Sequence, residues 1–171
     1  MREMTDDNFT LTTFYASWQE YQDRIKVALA SLSAEQLELR AAPGLRSVGE
    51  NIMHIVGCRC YWFIVFMDEI CGEEMKVYAP WNELALEMKG PIPTASELAM
   101  GLEHTWQFMA DCLARWSPAD MCQSFPDEWD GGVIERSRAW VVWHVLEHDL
   151  HHGGEISLIL GIHGISAEFA G

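Results

Sequence analysis

Apolar residues recur at spacings of three and four in four separate stretches of this chain, the period of a helix that buries one face. The first stretch carries Leu11, Phe14, Trp18, Tyr21, Ile25, Leu29 and Leu32. The second opens on Ser47-Val48-Gly49-Glu50, a capping box in which serine and glutamate satisfy two backbone donors at a helix start. It is expected to run to about Glu69, with Gly72 as its stop, and its apolar run from Tyr61 to Met67 predicts a strongly buried helix face. The third follows Pro93 with a second capping box, Thr94 to Glu97, and its inner face is Leu98, Leu102, Thr105, Met109, Leu113 and Trp116. Pro118 lies just past its end. The fourth starts near Ser137 and ends near Gly161.

Two connections are long. Residues 73–92 hold Pro80, Gly90, Pro91 and a lone Trp81, and read as a loop packed down by its aromatic side chain. Residues 117–136 contain Asp130-Gly131-Gly132 between Trp129 and Val133-Ile134, a turn signal that admits a short β-hairpin. The expected architecture is all-α: a four-helix bundle, with a long connection and a short hairpin between the third and fourth helices, as one domain over residues 1–171.

The fourth stretch also carries chemistry. Four of the seven histidines, His144, His148, His151 and His152, fall there, in WHVLEHDLHHGGE. At 100° per residue they share roughly a 100° arc of one helix, and Glu155 joins them. Side chains at i and i+4 stand about 5–6 Å apart at Cβ, close enough for two imidazoles to reach one metal ion. Residues i and i+8 are about 12 Å apart along the axis, so one ion takes either His144 with His148 or His148 with His152. The same arc carries Trp140, Val141, Ile159 and Ile162, which favour burial, and imidazoles buried beside them without a partner would each cost about 1–3 kcal/mol. A third ligand from another helix completes the set, and His54, in the second turn of the second helix, is the best placed. His104 falls on the outer side of the third helix and His163 just past the fourth, so both read as surface or capping residues. Gly153-Gly154 costs about 2 kcal/mol in a helix interior relative to alanine. Either the helix breaks there or the missing side chains make room at the metal. The apolar run from Ile156 to Leu160 favours an unbroken helix.

Composition narrows the function classes. A formal charge of −15 opposes a nucleic-acid surface, which needs clustered Lys and Arg, and equally opposes docking on anionic membranes. The MREMTDDNF start lacks the basic and apolar regions of a secretory leader. Five cysteines with no Cys-x-x-Cys pair make no disulfide framework, and a reduced, cytoplasmic protein is expected. Cys58, one turn beyond His54, reads as a small buried hydrophobe.

The segments GENIMHIVGCRCYWF and WHVLEHDLHHGGEISLILG resemble the DinB-like superfamily of four-helix-bundle metalloproteins. The resemblance covers most of the chain. It implies that one histidine of the second helix and two of the last, within H-x-x-x-H-R-G-Q, hold a divalent ion, most often zinc or nickel. By motif position these are His54, His148 and His152. Gly153 stands where the family often has arginine, which removes a cation near the site, and Glu155 where it often has glutamine. Relatives include thiol-dependent S-transferases and isomerases, and homodimers are common among them.

Three neutral histidines leave a coordination position open, as in catalytic zinc sites, whereas structural sites are usually closed by four protein ligands. The expected function is a metal-dependent transferase that activates a low-molecular-weight thiol, or water, for attack on a small electrophile. Glu155 or His144 would move a proton or orient a ligand, and Tyr61 would bound the pocket. The alternative is a non-catalytic metal-binding or stress-response bundle in which the ion is structural or regulatory.

Overall fold

The structure is a computed structural model, and it describes residues 15–167 and 169. Among these are six α-helices and one antiparallel hairpin. In chain order they are α1 (Ala16–Leu29), α2 (Ala34–Leu37), α3 (Val48–Cys60), α4 (Trp81–Glu87), α5 (Ala95–Arg115), β1 (Ser124–Trp129), β2 (Gly132–Ser137) and α6 (Arg138–Ile162). The all-α expectation holds as a mostly helical chain with one hairpin. No helix among the described residues is long and apolar enough to cross a membrane.

The predicted starts are real caps. Ser47, Thr94 and Ser137 each accept a backbone N–H three residues on, and the first two form full capping boxes with Glu50 and Glu97. The hairpin turns at Asp130 and Gly131, with φ of 51° and 75°, the paired left-handed conformation that a two-residue turn needs to match strand twist.

Three expectations need correction. The first helix stops at Leu29, and Leu32 belongs to a link into α2, which Ser33 caps; Leu11 and Phe14 lie outside the described residues. The run from Tyr61 to Met67 is not uniformly buried: α3 passes into a π-helical turn over Tyr61–Phe66, with Phe63 buried and Val65 62% exposed. The wider turn shifts the side-chain register, so an unbroken apolar run lands partly on the surface. Residues 73–92 are more than a loop, since Glu73–Tyr78 forms a 3-10 turn and α4 follows Pro80. Seven residues of helix are too short to register as a periodic stretch, and α4 is held by tertiary packing.

α3 is the centre of the molecule. Every residue from Val48 to Cys60 is buried, and α4, α5 and α6 all pack on it, while α1 packs on α5. Gly57 permits the closest approach: a Cβ there would lie 2.2 Å from the backbone nitrogen of Asn82, so α4 rests almost directly on the backbone of α3.

α6 runs unbroken through Gly153-Gly154. The space at Gly153 is taken by Tyr21 of α1, not left for a ligand at the metal: a Cβ would lie 2.1 Å from Oη of Tyr21, which donates to the carbonyl of Leu150. A Cβ at Gly154 would meet nothing within 4 Å. Gly153→Ala is therefore expected to lower the urea midpoint, and Tyr21→Ala in the same chain to restore part of the loss. Gly154→Ala should raise stability by up to about 1 kcal/mol through helix propensity alone. Equal effects at the two glycines would contradict this packing.

Candidate metal centre

The fold brings three of the predicted histidines together. His54 comes from the second turn of α3, and His148 and His152 from successive turns of α6. Ring centroids lie 4.6 Å (His54–His148), 4.8 Å (His54–His152) and 4.3 Å (His148–His152) apart. One ring nitrogen from each falls within 4.8 Å of the others, so the three can hold a metal ion. His54 and His152 are buried and His148 is half-buried.

The electrostatics suit a cation. Burial is the largest influence on all three rings; repulsion from neighbouring histidines adds to it at His148 and His152, and the Arg46 charge at all three, so that His54 falls to about 4, His148 to about 2 and His152 to about 3. All three are neutral at pH 7 and keep a lone pair. Nδ1 of His54 and of His148 is buried without a hydrogen-bond partner, and Nε2 of His148 faces Nε2 of His152 at 3.3 Å. Polar atoms desolvated and unpaired in this way are costly, and a divalent ion is the partner that neutral imidazoles accept.

Glu155 sets the tautomer of His152. Its Oε2 lies 2.7 Å from Nδ1 of His152, and a carboxylate only accepts, so Nδ1 carries the hydrogen and Nε2 presents its lone pair toward His148. His151 is exposed and reaches the same carboxylate at 3.3 Å, outside the three-histidine group. His144 also stands outside it. Its ring stacks on Trp140 at 4.9 Å and meets Trp62 edge-on at 4.9 Å, with its centroid 6.0 Å from His148. Burial lowers its pKa as well. Tyr61 is 42% exposed and packed edge-on against Trp62. Cys58 is buried, and desolvation pushes its thiol well above the usual range, which keeps it protonated and inert. His104 is exposed and bonded to the Tyr78 hydroxyl at 2.8 Å, and His163 is exposed against the carbonyl of Arg40 at 3.0 Å. Neither approaches the group.

Three features escaped the sequence. The first is Arg46, whose Nη2 lies 3.5 Å from Nδ1 of His152 and 4.0 Å from Glu155, while its Nε donates to Asn51 at 3.1 Å. Arginine is missing from position 153, yet a loop supplies a cation beside the site. The second is Asn82, which α4 sets against His54. The third is the buried pair of Arg59 and Asp149, in contact at 2.7 Å, one residue from His148. A charged residue inside the otherwise buried α3 was the available signal for that pair; the loop arginine carried none.

The depressed histidines make the metal-free protein acid-sensitive. An unfolded histidine takes its proton near pH 6.5, whereas the folded ones resist until about pH 4 or below. Between these limits the unfolded chain binds more protons, so stability is full above pH 6.5 and falls as pH drops. Chelator-treated protein should lose denaturation midpoint steadily from pH 7 to pH 5, and His148→Leu should flatten that slope. A midpoint that rises on acidification would refute the burial account.

Solved structures resemble this fold. A crystal structure of a DinB-like protein from Bacillus cereus ATCC 10987, at 2.01 Å resolution, matches with a TM-score of 0.69 and 20% sequence identity, over 94% of this chain and 97% of that one. Comparison with curated proteins returns no match. The profile of the DinB family matches residues 4–166 of the sequence. With that span covering nearly the whole chain, the protein belongs to the DinB family.

Proposed function

We propose that this DinB-family protein is a metal-dependent transferase that uses a low-molecular-weight thiol, or water, against a small electrophile. In this reading His54, His148 and His152 hold a divalent ion, most naturally zinc or nickel. The four long helices form a bundle, and the chain acts as one domain. The observation that carries it is the donor set: three neutral imidazoles from two helices, with no fourth His, Cys, Asp or Glu in the group among the described residues. Such a set leaves room for an exogenous ligand, unlike the closed four-ligand sites that serve structure.

A divalent ion held there would lower the pKa of a bound thiol or water and so supply a nucleophile at neutral pH. The remaining roles belong to the chain. Glu155 orients His152 through its Nδ1 hydrogen bond. His144, neutral and partly open to solvent beside His148, is the group placed to accept a proton. Trp62 and Trp140 fix its ring and shield that flank from water.

Elemental analysis of purified variants tests the site. His54→Ala, His148→Ala and His152→Ala should each lose the ion, while His104→Ala retains it. Glu155→Ala should weaken metal affinity about 10- to 100-fold, the usual cost of removing a carboxylate behind a ligating histidine. Full occupancy in His148→Ala would sink the assignment. The reaction class is tested separately on the cobalt-substituted protein, whose visible spectrum should change on adding small thiols while the metal-free chain stays folded. Collapse on chelation, with no spectral response to thiols, would favour a structural ion instead.

A further inference from the structure

A cleft of about 330 Å³ opens beside Arg46 and Glu155, the two residues that flank Nδ1 of His152. That volume is at the lower end of the range for small-molecule sites, about 300–1,000 Å³. Its walls come from three parts of the chain: Leu45 in the loop before α3, Leu86 in α4, and Leu158 and Ile159 in α6. Arg46, Asn51 and Glu155 form its polar end. The loop wall is preformed, because Nη1 of Arg40 donates to the carbonyl of Leu45 at 2.6 Å and the same guanidinium grips Glu50.

The two charged residues are not equivalent. Glu155 is engaged on its own helix, with one oxygen 2.7 Å from His152 and the other 3.3 Å from His151. Arg46 spends Nε on Asn51, and its Nη2 stands 4.0 Å from Glu155, beyond hydrogen-bond range. Among the described residues, Nη1 of Arg46 has no protein acceptor. A guanidinium with an open N–H edge at the end of an apolar cleft matches a carboxylate in both charge and geometry. A cationic head group would leave that edge unpaired, and a single neutral oxygen would accept from part of it without balancing its charge.

We propose that this cleft binds a small amphipathic carboxylate, its head paired with Arg46 and its apolar body lying between Leu86 and Leu158. The site stands on Arg46 and the cleft walls and does not require an ion at the histidines, although Glu155, at its polar end, also bonds His152.

Hexanoate titrated into the full-length protein, followed by calorimetry and by amide chemical shifts, tests the site with hexan-1-ol as the uncharged comparison. Hexanoate should bind at least about tenfold more tightly than the alcohol, a difference of about 1.4 kcal/mol, and equally well before and after chelation. Arg46→Gln should reduce hexanoate to the level of the alcohol, and Leu158→Trp, which fills the cleft from an exposed position, should weaken both ligands. Both variants should keep their metal content, which separates this site from the metal reading. Should Arg46→Gln fail to fold, Leu158→Trp and the alcohol comparison decide the matter. Binding that survives Arg46→Gln, equals that of hexan-1-ol, vanishes on chelation, or is absent from the parent protein overturns the proposal; loss on chelation would place the carboxylate on the ion.

Discussion

The buried ion pair between Arg59 of α3 and Asp149 of α6 is the constraint around which the long helices are arranged. Both side chains are 1% exposed, and their closest approach is 2.7 Å. Arg59 also donates to Gln22 of α1 at 2.7 Å and to the carbonyl of Leu102 and the hydroxyl of Thr105 in α5, both at 3.2 Å. Trp18 of α1 donates its indole N–H to the same carboxylate at 2.7 Å. Burial pushes the Asp149 carboxyl upward, and the guanidinium and indole oppose it by bonding its ionised form. Such a pair need not add net stability over an apolar replacement. Its effect is on specificity: any other rotation of α6 would leave two charges buried and unpaired, a penalty of several kcal/mol.

That specificity reaches the candidate metal centre through chain geometry. Asp149 follows His148 directly, and successive side chains on a helix diverge by 100°. With Asp149 fixed toward the interior between α1, α3 and α5, His148 and His152 must emerge on the flank facing His54. The same register turns Gly153, one turn beyond Asp149, toward Tyr21 of α1. The ion pair and the glycine contact act as two stops on the rotation of one helix. A metal site requires ligand atoms placed to within a few tenths of an ångström, and stops of this kind supply that rigidity.

The centre itself is a polar cluster set in a desolvated place. Neutral rings are cheaper to bury than charged ones, which is why all three pKa values fall, and the Nε2 atoms of His148 and His152 face one another at 3.3 Å. On the other side of His152, Glu155 and Arg46 join the histidines to an apolar cleft, so the polar contacts that orient a ligand also line a second cavity.

Much of this was legible in the sequence. Period-3.6 apolar runs and serine or threonine caps gave the long helices, and Asp-Gly gave the hairpin turn, because these signals depend on local backbone chemistry. Helical spacing put His148 and His152 on one face, and the same reasoning singled out His54. Local signals failed where a neighbour overrules them: the π-helical turn that exposes Val65, the short α4 held against Gly57, and Gly153 filled by a tyrosine 132 positions earlier in the chain. Arg46 beside His152 was invisible, since a loop residue has no periodicity to report its direction. The sequence by itself determined which residue types could bind a metal and on which helices they ride, since both follow from side-chain chemistry and a fixed rise per residue. The tertiary structure decided which of them meet, and gave the site its arginine and its cleft, because contacts between distant segments depend on packing that no local pattern encodes.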